Sequence, residues 1–213
     1  MIEYDKPMDI ERRSFEIITQ LLGERVIPAE NELVVKRVIH TTADFDYAEN
    51  LAFSAHAVAQ GIAALRAGCD IVTDTQMARS GINKRVLERF GGEVLCFMSD
   101  VDVANEAKER GVTRATVSME RAARLKGPLI LALGNAPTAL VRACELMEAG
   151  ELRPALVIGV PVGFVNVVES KERIWSVCQD LDVPAIVAMG RKGGSTVAAA
   201  VCNALLYQAA GLR

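Results

Sequence analysis

The 213-residue sequence predicts a doubly wound α/β fold: three α/β/α layers around a mainly parallel five-stranded sheet, with a helical segment at the N-terminus. Three observations predict it. Five short apolar runs show little alternation, as strands covered on both faces do. Helical patterns fill the intervals between them, the order that gives a parallel sheet with right-handed crossovers. Hydrophobic residues make up 51% of the chain but aromatics only 5%, so Ala, Val, Ile and Leu must fill the core. One domain over residues 1–213 accommodates this, since α/β domains commonly run past roughly 200 residues.

The elements follow in order. Residues 10–22 carry Ile10, Phe15, Ile17, Ile18, Leu21 and Leu22 in an approximate helical stripe, and Gly23 stops it. Ser14 sits between Arg13 and Phe15, its hydroxyl placed for solvent or a ligand. Residues 30–39 put Leu33, Val34, Arg37 and Val38 at helical spacing and deliver His40 at or near the helix end. There the helix dipole favours an imidazolium, which suits a general acid. Residues 51–67, alanine-rich with Phe53, Val58, Ile62 and Leu65, read as one helix ended by Gly68. The strand runs are 69–73, 94–97, 129–133, 155–159 and 184–188. An alanine-rich helix over residues 197–210 closes the chain.

Sheets of this kind bind ligands outside the C-terminal ends of their strands, so the loops after the runs matter most. Asp74-Thr75-Gln76-Met77 follows the first run and Gly134-Asn135-Ala136-Pro137-Thr138 the third. Pro137 suits a first helical turn, and Asn135 or Thr138 can accept from orphan amides. Asn135 serves either helix capping or ligand contact. Gly159-Val160-Pro161-Val162-Gly163-Phe164 follows the fourth run. After the fifth, Gly190-Arg191-Lys192-Gly193-Gly194-Ser195-Thr196 combines three glycines, two cations and two hydroxyls ahead of a helix. Free amides at a helix N-terminus with Arg191 and Lys192 beside them make an anion site. The loop lacks the Gly-Lys-Ser/Thr ending of a P-loop, and the first loop lacks Gly-x-Gly-x-x-Gly. Carboxylates suit these donors as well as phosphate does.

Charge and composition narrow the classes. A net charge of −3 and a pI near 5.5 argue against general nucleic-acid binding. No apolar run reaches the roughly 18 residues that span a bilayer. The opening Met1-Ile2-Glu3-Tyr4-Asp5 lacks the basic start and apolar run of a signal peptide, so a cytoplasmic location is expected. Five scattered cysteines, without zinc-site or redox spacing, read as buried free thiols. Only two histidines are present, and histidine alone titrates near neutral pH with an unperturbed value of roughly 6.5. His56, flanked by alanines, reads as a helix-packing residue. His40, in Arg37-Val38-Ile39-His40-Thr41-Thr42-Ala43-Asp44, has polar neighbours and is the candidate for proton chemistry.

Six segments together resemble the precorrin-8 methylmutase family of cobalamin (vitamin B12) biosynthesis. They are Ile10-Glu11 with Ser14-Phe15-Glu16-Ile17-Ile18; Arg37 to Asp44; Asp74-Thr75-Gln76-Met77 with Gly81-Ile82; Gly134 to Leu140; Pro161-Val162-Gly163-Phe164-Val165 with Glu169-Ser170-Lys171; and Gly190 to Ser195. The resemblance runs over nearly the whole chain, in order. It implies a flavodoxin-like fold, a homodimer and an intramolecular methyl transfer. A methyl group moves from carbon 11 to carbon 12 of a tetrapyrrole polycarboxylate, a 1,5-sigmatropic shift that yields the corrin chromophore. No external cofactor is implied, and any cobalt belongs to the substrate. The family's catalytic histidine falls on His40, and its substrate-binding positions fall on Ser14 and Arg37. Thr41, Gln76, Met77, Asn135, Thr138, Gly163, Phe164, Arg191, Lys192, Gly193, Gly194 and Ser195 complete the expected substrate contacts, with no metal ligands. Arg12, Arg13, Arg37, Arg191 and Lys192 are the cations available to the substrate's carboxylates. Transient contact with neighbouring pathway enzymes is a further expectation. Two other readings stand beside it: a non-catalytic corrinoid carrier, and a phosphate- or flavin-binding flavodoxin-like enzyme.

Overall fold

The computed structural model describes residues 7–212; the opening Met1–Asp5, read above for targeting, lies outside them. Two helices come first, α1 (Pro7–Leu22) and α2 (Glu32–Thr42), then a single turn, α3 (Tyr47–Asn50). Strand β1 (Leu51–Phe53) leads into α4 (Ala57–Arg66), and β2 (Asp70–Thr73) into α5 (Gln76–Gly81) and α6 (Lys84–Leu87). Next come β3 (Val94–Leu95), α7 (Val101–Arg110) and α8 (Arg114–Ala123). The chain ends with β4 (Leu129–Leu133), α9 (Pro137–Glu148), β5 (Leu156–Gly159), α10 (Val167–Asp180), β6 (Ala185–Ala188) and α11 (Ser195–Ala209).

The sheet has six strands in the order β1-β6-β5-β4-β2-β3. All five apolar runs are strands, and every pair among them is parallel. Their order is the doubly wound one whose direction of travel reverses between β2 and β4, where such sheets open a ligand crevice. The sixth strand corrects the expectation of five. Leu51, Ala52 and Phe53, read as the start of a helix, pair antiparallel with Ala188, Val187 and Ile186 on the free edge of β6. The edge of a parallel sheet supplies unpaired amides and carbonyls, and three residues suffice to cover it. The helix therefore starts only at Ala57, after His56 takes a left-handed conformation with φ 56°.

Strand alternation divides the core into two layers. Ile130, Ala132, Leu156, Ile158, Ile186 and Ala188 face one cluster, which holds α2, α4 and α11. Leu131, Leu133, Val157, Ala185 and Val187 face the other, against α8, α9 and α10. Helix α11 is buried along most of its length, from Val197 to Ala209, because α2, α4 and α5 pack over it while it lies on the sheet. α1 in turn packs on α2. The N-terminal segment is thus stacked outward from the sheet. It carries His40 beside the strand ends.

Candidate active site

His40 occupies the last turn of α2 and is exposed. The helix ends there because Ala43 turns left-handed, φ 55°, its N–H capping the Ile39 carbonyl at 2.7 Å. The Phe15 ring on α1 lies beside the imidazole, centroids 5.5 Å apart and tilted by 34°. Arg37, one turn earlier, holds that ring. Its guanidinium carbon sits 4.8 Å from the Phe15 centroid and 5.2 Å from the Tyr207 centroid on α11, within cation–π range. Glu11 closes the arrangement at 2.6 Å from Arg37 Nη1. Arg37 therefore joins three helices, and only 17% of its side chain is exposed. The Ser14 and Thr41 hydroxyls donate to carbonyls of their own helices, Ile10 at 2.8 Å and Arg37 at 2.9 Å. Their lone pairs stay available to a ligand.

One residue ties this histidine to the strand ends. Lys192, in the loop after β6, places its ammonium 2.6 Å from a carboxylate oxygen of Asp44 and 2.6 Å from one of Asp46. The Lys192 bond holds the Asp44 carboxyl below its ordinary range, and the two aspartates raise the Lys192 pKa. Around Lys192 the loops are knitted backbone to backbone. The Gly194 N–H donates to the Val160 carbonyl at 2.8 Å and the Gly163 N–H to that of Arg191 at 3.3 Å. A Cβ on Gly193 would lie 2.2 Å from the Val160 oxygen, and one on Gly134 2.8 Å from the Gly194 oxygen. The Thr75 and Ser195 hydroxyls bond at 2.8 Å, joining the first loop to the last. Met77 and Phe164 project from this edge, 65% and 86% exposed.

The chain as a whole has counterparts among known proteins. The family model for CbiC, precorrin-8X methylmutase, matches residues 9–208. The chain belongs to the precorrin-8X methylmutase family. It is 47% identical over 208 residues to the cobalt-precorrin-8 methylmutase of Salmonella typhimurium, covering 95% of each chain. It is 46% identical over 200 residues to that of Priestia megaterium, covering 94% of this chain and 87% of the relative. A crystal structure titled as precorrin-8x methyl mutase from Thermus thermophilus superposes with a TM-score of 0.86 at 40% identity, over 96% of this chain and 97% of the other.

Not every residue expected at this methylmutase family member's site points into it. The Gln76 amide donates away from the loop cluster, to the Cys96 carbonyl and the Ser99 hydroxyl at 3.3 Å each. The Thr138 hydroxyl accepts from Thr113 at 3.1 Å. Asn135 is exposed and is not the cap; Ala136 holds that position without a side-chain bond. Asp74 instead fastens the backbone just ahead of that helix. Its buried carboxylate accepts from the N–H groups of Gly134, Asn135 and Ala136 at 2.8, 2.8 and 2.6 Å. Burial pushes the Asp74 pKa up, against the three amide donors. The chain's own carboxylate thus fills the anion cradle between β2 and β4, which runs against a phosphate or flavin reading at that crevice. Among the expected cations, Arg12 pairs with Asp9 and Glu16, Arg37 with Glu11 and Lys192 with Asp44 and Asp46. Arg191 is exposed and forms no ion pair among the described residues.

His56 departs from its sequence reading. Its side chain is 75% exposed, 3.7 Å from Glu30, and packs into no helix interface. Ser54 bonds to Ala185 at the start of β6, so His56 lies at the opposite end of the sheet from the loop cluster. Two buried residues that the sequence reading did not assign a role bear on the site: Asp74 and Lys171. Both lie inside the family-like segments, but a charged residue there reads as a loop ligand, and its burial is visible only in three dimensions. Among the described residues, no three His, Cys, Asp or Glu side chains form a metal-binding group, and no helix is long and apolar enough to cross a membrane.

Proposed function

We propose that this chain moves a methyl group from carbon 11 to carbon 12 of precorrin-8, with His40 as the general acid. As a precorrin-8X methylmutase family member it is an enzyme, an isomerase of cobalamin biosynthesis. The supporting observation is the Lys192 tie that draws the His40 end of α2 onto the loop cluster, in a chain whose family match spans residues 9–208. The cobalt chelate is the substrate form read for this chain, because relatives at 46% and 47% identity bear that name.

The reaction is an internal exchange. One C–CH₃ bond breaks at carbon 11 and one forms at carbon 12. A proton lent by His40 to the macrocycle during migration returns as the product's conjugation settles, so composition is unchanged. A positioned acid typically contributes roughly 10²–10⁴-fold, and holding the ring in its reactive shape supplies the rest. The macrocycle has an apolar face and a rim of carboxylates. Met77 and Phe164 offer apolar surface, while Arg191 and the first-turn amides of α11 at Ser195 offer donors. Thr41 follows the histidine, Ser14 precedes Phe15, and Arg37 fixes the Phe15 ring against His40. No external cofactor enters this scheme.

The same reading takes residues 1–213 as one domain, cytoplasmic and homodimeric, with passing contacts to enzymes before and after it in the pathway. A single sheet through both core clusters supports the first. The apolar stripe of Ile10, Ile17 and Leu21 on the outer side of α1 supports a subunit contact. The test is conversion: the purified protein, given precorrin-8 with and without cobalt, is followed by absorption for the corrin chromophore. Formation of the corrin is expected. Tight binding with no conversion of either substrate would leave a carrier, and the isomerase reading would fall.

A further inference from the structure

We propose that Lys171 is a positioning residue for the His40 end of the site, acting through the loop of residues 190–194 and through Lys192. The proposal rests on the reading of His40 just given. Lys171 stands in the second turn of α10 and is fully buried, with 0% of its surface exposed. It forms no ion pair among the described residues. Its ammonium instead donates to the carbonyl oxygens of Gly190 and Lys192, 2.8 Å to each. The carbonyl between them, that of Arg191, accepts from the Gly163 N–H. Three consecutive carbonyls are thus held from below, two of them by one charge.

A buried cation without a carboxylate is an expensive way to close a loop. Apolar side chains of similar volume commonly do as well or better for stability alone. Burial accordingly pushes the Lys171 pKa down to about 8. What the arrangement does achieve is direction. With its own carbonyl pinned beneath it, Lys192 reaches across to Asp44 and Asp46. Asp44 is held in a tight turn as well, its N–H on the Thr42 hydroxyl at 3.2 Å and its carboxylate accepting from the Asp46 N–H at 3.0 Å. That turn starts at Ala43, three residues after His40. The contacts run without a gap from Lys171 to the loop, to Lys192, to the aspartates and to the end of α2.

The experiment compares Lys171→Met, Lys192→Met and the double variant with the wild-type protein. Each is measured for kcat and KM on the cobalt-precorrin substrate and for amide exchange over residues 41–47. Misplacing an acid lowers kcat more than it weakens binding, so each single variant is expected to lose about tenfold or more in kcat with KM changed less than about threefold. The double variant should be no worse than the poorer single one, because both cut the same chain of contacts. Exchange over residues 41–47 should rise in both single variants. A Lys192→Met protein with wild-type kcat, losses that multiply in the double variant, or unchanged exchange in that segment would overturn the proposal. Lys192 is exposed, so its variant carries the test even if Lys171→Met does not fold. A wild-type protein that converts no precorrin would instead sink the isomerase reading, and the exchange data would still decide whether Lys171 governs the segment.

Discussion

Asp74 and Lys171 are opposite charges used in the same way, each fastening loop backbone that a neighbouring strand end presents. For Asp74 the energetic consequence is direct. Its carboxylate satisfies three amides, with the bonds from Gly134 and Ala136 buried, and a buried amide left without an acceptor costs about 1–3 kcal/mol. Asp74→Asn keeps one oxygen but sets an amide donor against an N–H. That variant is expected to lose roughly 2–4 kcal/mol in urea unfolding, a large share of the 5–15 kcal/mol typical of a domain. A loss below about 0.5 kcal/mol would mean that the three amides find acceptors elsewhere. The sequence announced neither residue. Its motifs marked both segments as places where chemistry gathers, but a loop aspartate reads as a ligand contact until a fold shows what surrounds it. His40 was legible for the opposite reason: with two histidines in the chain, helical spacing alone puts one at a helix end.

At the scale of elements, the parallel strands were legible because both their faces are covered and continuous apolar runs result. Leu51–Phe53 escaped because three residues are too few to show a period, and the alanine-rich stretch behind them reads as helix throughout. What settles their state is tertiary: an unpaired β6 edge on one side and the left-handed turn at His56 on the other. The consequence reaches the site. Met189, just past β6, donates to the Asn50 carbonyl just before β1, so the added strand fixes where the chain leaves α3 and hence where Asp44 and Asp46 meet Lys192. The glycine-rich loops were read as donors waiting for a ligand. Much of their backbone is spent on one another, and the donors left for a substrate lie at the first turn of α11 and on Arg191.

Over the whole molecule, burial of free thiols predicts a loss of stability at alkaline pH. Burial pushes Cys69, Cys144, Cys178 and Cys202 from an ordinary value near 9 to about 12. Their contribution is complete below the ordinary value and is lost as pH rises toward the folded one, because only the unfolded chain can ionise in between. Lys171 acts in the other direction: its folded pKa lies below the ordinary 10.5, so it adds stability as pH rises from about 8 to 10.5. Each group is worth about 1.4 kcal/mol per pH unit, and four thiols outweigh one lysine. Denaturant titrations at about pH 8 and pH 10 should therefore show a net loss of several kcal/mol at the higher pH. Equal stability at the two would mean the thiols are not held protonated by the fold.

As the general acid, His40 should serve the chemistry and not the binding. The measurement is a single turnover of cobalt-precorrin-8 by wild-type protein and by His40→Ala, with the affinity of each for the corrin product read from its absorption spectrum. Methyl migration in His40→Ala is expected to fall by at least about 10²-fold while product affinity stays within a few-fold of wild type. Migration at the wild-type rate in His40→Ala would contradict that role and move the search for the acid elsewhere on the rim.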